Sequence, residues 1–177
     1  VPDSYCLYVG ALQPRKNLVR LIEAFEKMKS ENPQAKLVLA GEVAWLASGI
    51  LKTRERSLYK EDIILTGKVS FDELRALYQG TRVFVFPSLY EGFGIPILEA
   101  MASGVPVLTA NNSSLPEVAG SGALYCEALN TDDIAQKLAL LWQDASLREA
   151  LVLKGTQQLA GFSWERCARQ TLSYIEE

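Results

Sequence analysis

The sequence predicts an α/β domain, a three-layer fold in which helices cover both faces of a parallel sheet of about six strands. Three observations predict it. Apolar runs of strand length alternate with helix-length amphipathic segments from one end of the chain to the other. The helical connections between strands are long enough for crossovers, which parallel neighbours require. The 177 residues are 49% apolar, enough for one domain with a substantial core and too apolar for a disordered tail.

Cys6-Leu7-Tyr8-Val9-Gly10 reads as the first strand. Leu18, Leu21, Phe25 and Met28 then share one face of a helix. Lys36 to Ala40 reads as a second strand stopped by Gly41, and Ala44 to Leu58 as a helix weakened by Gly49. Ile63-Ile64-Leu65 is the third strand. Ser70 and Glu73 have capping-box spacing and open a short helix to Tyr78. Val83 to Phe86 is the fourth strand, and the helix from Pro96 to Ser103 is ended by Gly104. Val105 to Thr109 is the fifth strand. Ser114 and Glu117 repeat the capping-box spacing before a brief sixth strand, Gly122 to Tyr125. Helices over Asp132 to Trp142, Leu147 to Leu159 and Trp164 to Ile175 finish the chain, the last capped by Ser163. Phe84, Phe86, Trp142 and Trp164 are assigned to the core. No repeat, low-complexity tract or linker divides the chain, so residues 1–177 are expected to form a single Rossmann-like domain.

Composition excludes several functions. The net charge of -3 argues against a nucleic-acid groove. No apolar run approaches the roughly 18 residues of a membrane span. No signal-peptide pattern is present, and the abrupt start at Val1-Pro2-Asp3-Ser4 reads as that of an excised fragment. Cys6, Cys126 and Cys167 are far apart and lack metal-ligand spacing, so they read as buried or free thiols in a reducing compartment. The absence of histidine excludes a Ser-His-Asp or Cys-His unit and any His-metal site within this chain. Chemistry must come from carboxylates, Lys, Arg and backbone.

The segment that can carry such chemistry is EGFGIPILEA, where Glu91 and Glu99 flank a glycine turn between the fourth strand and its helix. Ligands bind at such corners of parallel sheets. The N–H groups of Phe93, Gly94 and Ile95 lack intrahelical partners and favour phosphate; Pro96 loses nothing there. Glu99 is expected in the first helical turn, where on its own it would merely suit the helix dipole. Glu91 on its own would be a solvated loop carboxylate. Pro14-Arg15-Lys16-Asn17 occupies the equivalent corner after the first strand, and its two cations could neutralise a diphosphate, although such a pair commonly just faces solvent. Gly10 and Gly41-Glu42 end their strands at the same edge, as does Gly67-Lys68-Val69-Ser70. There Val69 offers an apolar platform for a base and Lys68 a helping cation, with ordinary turn chemistry the equal alternative. No Asp-x-Asp occurs, and Asp132-Asp133 read as helix N-terminal charges, so no metal site is assigned.

The string YEGFGIPILEAMASGVPVL, with seven residues between Glu91 and Glu99, resembles the E-x7-E motif of glycosyltransferase family 4, the group 1 glycosyltransferases. VGALQPRKNL resembles that family's phosphate-contacting segment. LTGKVSFDELRALYQGTRVFVFPS and SSLPEVAGSGALY resemble the segments around the motif, and the late FSW its closing helix. The resemblance implies the C-terminal, donor-binding half of a GT-B enzyme: a retaining, metal-independent transferase that takes a sugar from UDP or GDP and gives it to a carbohydrate or lipid-linked glycan. By position, Glu91 would bind hydroxyls of the sugar and Glu99 those of the ribose. Lys16 would hold the diphosphate as it leaves. Phe93, Gly94 and Ile95 would donate backbone N–H groups, and Val69 would lie near the base. Ala11 stands where many members carry an arginine, a charge that Arg15 is expected to supply.

The PRKN variant resembles bacterial mannosyl- and rhamnosyltransferases of surface polysaccharides. That implies a cytoplasmic enzyme, with room for peripheral contact at the inner membrane face through an N-terminal acceptor domain that this chain lacks. The alternatives are a non-catalytic nucleotide-binding or interaction module, and another enzyme of the same architecture such as a nucleotide-sugar epimerase. A glycan phosphorylase would need a pyridoxal-binding lysine pattern, which is missing.

Overall fold

A computed structural model of the chain describes residues 4–176; the Val1-Pro2-Asp3 start lies outside the described residues. Six parallel strands form one sheet: β1 (Tyr5–Val9), β2 (Lys36–Ala40), β3 (Ile63–Gly67), β4 (Val83–Phe86), β5 (Val107–Ala110) and β6 (Ala123–Cys126). Their spatial order is β3-β2-β1-β4-β5-β6. The chain therefore reverses its direction of travel across the sheet between β1 and β4, which opens a crevice at their C-terminal ends. β1 runs its full length against β2 (Leu7 opposite Val38), while β1 and β4 pair only at Cys6–Val83 and Leu7–Phe84. The two central strands thus separate towards the crevice.

Strand side chains are apolar on both faces because helices cover both. Tyr5, Cys6, Leu7, Tyr8 and all of β4 are fully buried. On one face α1 (Leu18–Glu31) packs against α2 (Ser48–Arg56) and α6 (Thr131–Gln143). The buried stripe of α1, Leu18, Leu21, Ile22, Phe25 and Met28, meets the Ile134, Leu138 and Leu141 face of α6. On the other face lie α3 (Phe71–Gly80), α4 (Ile95–Ala102), α5 (Leu115–Ala119) and α7 (Ala145–Leu159), with α4 packed on α5 and α7. The last helix, α8 (Trp164–Glu176), buries no residue among those described.

Several expectations need correction. The helix expected over 44–58 is confined to α2, because Leu46 takes a left-handed φ of 56° that no helix can pass through. The Ser70 capping box forms as expected, but α3 continues to Gly80. β5 begins at Val107, after Pro106, and β6 ends at Cys126. The Ser114–Glu117 capping box does not form: Ser114 has helical backbone angles and sends its hydroxyl elsewhere. Trp164 is not core; it is 81% exposed on α8, whereas Phe84, Phe86 and Trp142 are buried. Cys6 and Cys126 are buried free thiols and Cys167 an exposed one.

Candidate active site

The crevice is built first from the turn after β1. Pro14–Lys16 makes one 3-10 turn, and Asn17, in the left-handed region at φ 62°, redirects the chain into α1. The buried Asn17 amide donates to the carbonyls of Pro87 (3.0 Å) and Ala128 (2.6 Å), fastening this turn beside the end of β4. Lys16 is 7% exposed, with its ammonium 4.9 Å from the centre of the Phe86 ring. Its Nζ donates to Glu91 Oε1 at 2.5 Å. Arg15 Nη1 donates to Glu91 Oε2 at 2.8 Å and to the Tyr90 carbonyl at 3.1 Å. Each carboxylate oxygen of Glu91 is therefore held by one cation. Glu91 is no solvated loop group, and the Arg15-Lys16 pair is no purely solvent-facing turn.

The loop carrying Glu91 is fastened from both sides. Leu89 N–H donates to the Arg15 carbonyl at 2.8 Å, and Asn112 Nδ2 to the Ser88 carbonyl at 3.2 Å. Glu91 N–H donates to Ser113 Oγ at 3.1 Å. The Ser114 hydroxyl faces the carbonyls of Glu91 (3.0 Å) and Phe93 (2.9 Å). This is where the supposed capping serine goes: it fixes the glycine turn in place of closing its own helix.

Charge and burial set the state of the pair. Burial pushes the Glu91 carboxyl up, but the hydrogen bond from Lys16, the nearby Ser88 hydroxyl, the hydrogen bond from Arg15 and the Lys16 charge outweigh it and hold Glu91 below the usual carboxylate range. Burial also lowers the Lys16 ammonium below its ordinary value, and the nearby Arg15 adds to this; the Glu91 hydrogen bond and charge oppose both. Burial pushes the Tyr8 hydroxyl up, so it stays a donor to the Ala11 carbonyl.

Beyond Glu91 the chain turns through Gly94 at φ 110°, an angle that favours glycine, and enters α4. Gly92 needs no such freedom, but its side-chain direction is open. Among the described residues, no acceptor meets the N–H groups of Phe93, Gly94 or Ile95. Glu99 lies in the second turn of α4, not the first, so it is not explained by the helix dipole. One of its oxygens accepts from Tyr78 Oη at 2.8 Å. Burial, followed by the Glu99 charge and hydrogen bond, pushes the Tyr78 hydroxyl far up and keeps it a donor.

The remaining expected residues are more dispersed. Gly10 and Gly41 end β1 and β2, where Gly10 N–H donates to the Ala40 carbonyl at 2.9 Å. A side chain at Gly41 would put its Cβ 2.1 Å from the Gly10 carbonyl oxygen, so the two loops approach as only glycine allows. Val69 is half-buried against the core. The Lys68 side chain is 80% exposed and only loosely paired with Glu42 at 3.8 Å. Neither residue touches the Lys16–Glu91 network. Among the described residues, no group of three or more Cys, Asp or Glu side chains is placed to hold a metal ion.

Sequence reasoning missed Asn17, Tyr78, Ser88, Asn112 and Ser113, and misread Ser114. Asn17 was legible as a turn residue beside the cations. The others act across the fold and leave no local pattern.

Residues 2–158 match the family model described as "Glycosyl transferases group 1". The chain belongs to that family. It is 39% identical over 172 residues to the O-antigen chain mannosyltransferase B of Escherichia coli, covering 97% of this chain and 45% of that protein. The chain thus spans less than half the length of this curated relative. Its fold superposes on an α,α-trehalose-phosphate synthase (UDP-forming) from Burkholderia vietnamiensis with a TM-score of 0.88 at 17% identity, covering 99% of this chain and 45% of that one. It also matches the C-terminal domain of the group 1 glycosyl transferase LpcC from Francisella tularensis, with a TM-score of 0.78 at 24% identity, covering 89% of this chain and 84% of that one. The sheet order and helical layers of this group 1 chain are those of the C-terminal half of a GT-B fold.

Proposed function

We propose that this chain binds the donor in a retaining glycosyltransferase, holding a nucleoside diphosphate sugar across the crevice between β1 and β4. One observation carries the reading: at the strand-order reversal two cations hold the buried Glu91 carboxylate, which opens a glycine turn whose next N–H groups meet no acceptor among the described residues. The diphosphate lies against Lys16, Arg15 and the start of α4. Glu91 accepts from hydroxyls of the sugar, Glu99 from those of the ribose, and Val69 lies under the base with Lys68 nearby.

As the sugar departs, negative charge grows on the diphosphate. Lys16, Arg15 and the helix N–H groups favour that charge and lower the barrier. The acceptor hydroxyl attacks from the side of departure, so Glu91 positions the sugar and forms no covalent bond. These groups supply the positive charge without a bound metal, and transfer is expected to survive chelation of divalent ions. The mannosyltransferase relative supports a mannosyl donor and a surface-glycan acceptor. The acceptor is held by an N-terminal domain that precedes this one in the full-length enzyme, at the cytoplasmic face of the membrane. No helix among the described residues is long and apolar enough to cross a membrane.

Titration calorimetry of this chain with UDP and GDP tests the reading. Binding of one of the two is expected; no heat from either, with the fold intact by circular dichroism, overturns it.

A further inference from the structure

Ser88 follows β4 by two residues and is fully buried. Among the described residues, its hydroxyl is the one buried side-chain polar atom without a hydrogen-bond partner. It lies close enough to the Glu91 carboxylate to help keep it ionised, yet outside hydrogen-bonding geometry. A buried, unpaired hydroxyl is destabilising, so its presence asks for a reason. Alanine would fill the place without that cost.

The surrounding charges supply the reason. Both oxygens of Glu91 are engaged, one by Lys16 and one by Arg15. An incoming diphosphate competes for the same two cations. Any bond they surrender leaves a carboxylate oxygen short of a donor at a position only 7% exposed, where water cannot readily replace it. The Ser88 Oγ–H is unused and adjacent. The loop is too well fastened, at Leu89, Glu91 and Phe93, for Glu91 to swing out to solvent as a backbone movement.

We propose that Ser88 is a positioning residue: when a diphosphate engages Lys16 and Arg15, its hydroxyl takes the Glu91 oxygen that those cations give up. Glu91 then remains ionised and aimed as an acceptor for a sugar hydroxyl. The hydroxyl is thus a donor in reserve, called on when a diphosphate binds. This rests on the donor-site reading above.

The test is a double-mutant cycle on this chain, read by calorimetry with UDP and GDP, with melting curves recorded alongside. Ser88→Ala is expected to weaken binding of the preferred nucleotide roughly ten- to hundredfold while leaving the ligand-free melting midpoint unchanged or raised. In a Glu91→Gln background, whose neutral side chain leaves no surrendered charge, the same substitution is expected to change affinity less than about twofold. Ser88→Thr, which keeps the hydroxyl, is expected to recover most of the lost affinity. Equal binding by wild type and Ser88→Ala, or an equal loss in both backgrounds, overturns the role of Ser88 and leaves the donor site standing. Absence of binding by wild type and Glu91→Gln alike overturns both.

Discussion

The two sides of the ligand edge are built differently. At the ends of β1 and β4, the chain is tied down residue by residue: Asn17 holds Pro87, Arg15 holds Leu89 and Tyr90, and Ser113 and Ser114 hold Glu91. At the ends of β2 and β3, the loops are tied by backbone hydrogen bonds, as from Leu12 N–H to the Glu42 carbonyl at 2.8 Å and from Gly41 N–H to the Gly67 carbonyl at 3.0 Å. They carry exposed Val43, Trp45 and Leu46, and the one ion pair there among the described residues, Lys68 with Glu42, is open at 3.8 Å. Groups that stabilise developing charge must not reorganise as the reaction proceeds, which is what fastening achieves. Groups that accommodate a base or an acceptor can adapt as they bind. In the proposed donor site, the first side carries the chemistry and the second the selection.

The largest effect expected from that division is on Lys16. In the full-length enzyme Lys16→Ala should lower the transfer rate about 10²–10³-fold, measured as kcat with saturating donor. A tenfold loss or less would place the leaving-group charge elsewhere. Next comes Glu91, as a stability experiment. Glu91→Ala leaves Lys16 buried without its counter-charge and should cost about 3 kcal/mol in urea unfolding at neutral pH. Because Glu91 ionises more readily folded than unfolded, its contribution is complete above the unfolded value of about 4.3 and is lost as pH falls through the lower folded value. Glu91→Gln should therefore flatten the acid limb of the stability curve.

Tyr78 tests how far the fastening extends. Tyr78→Phe frees the Glu99 carboxylate from its only side-chain donor among the described residues, and should weaken nucleotide binding about fivefold while leaving the fold intact. The smallest effect belongs to the open side. Lys68→Ala should change thermal stability by less than about 0.5 kcal/mol and nucleotide affinity by about twofold or less. A larger change at Lys68 than at Tyr78 would invert the comparison.

The sheet and both corner motifs were legible in the sequence because each is local. Apolar runs, helical spacing and the Ser70–Glu73 box are written within a few neighbouring residues, and Glu91 and Glu99 stand in one short string that resembles a family motif. What failed to read was the wiring between corners. Ser114 and Glu117 have the spacing of a capping box, but the nearby Glu91 and Phe93 carbonyls compete for the serine and win. Trp164 looks like a core residue on an amphipathic pattern, yet pattern alone does not say which body covers the apolar face of α8, and no described residue buries it. Leu46 gave no warning of its left-handed backbone.

The near-collision of Gly41 with the Gly10 carbonyl reaches further than its own loop. The peptide that any Cβ at position 41 would displace leads directly into the segment bearing Arg15 and Lys16. A genetic screen for loss of sugar transfer should therefore recover Gly41 lesions that resemble active-site defects, although no atom of residue 41 need ever meet the donor.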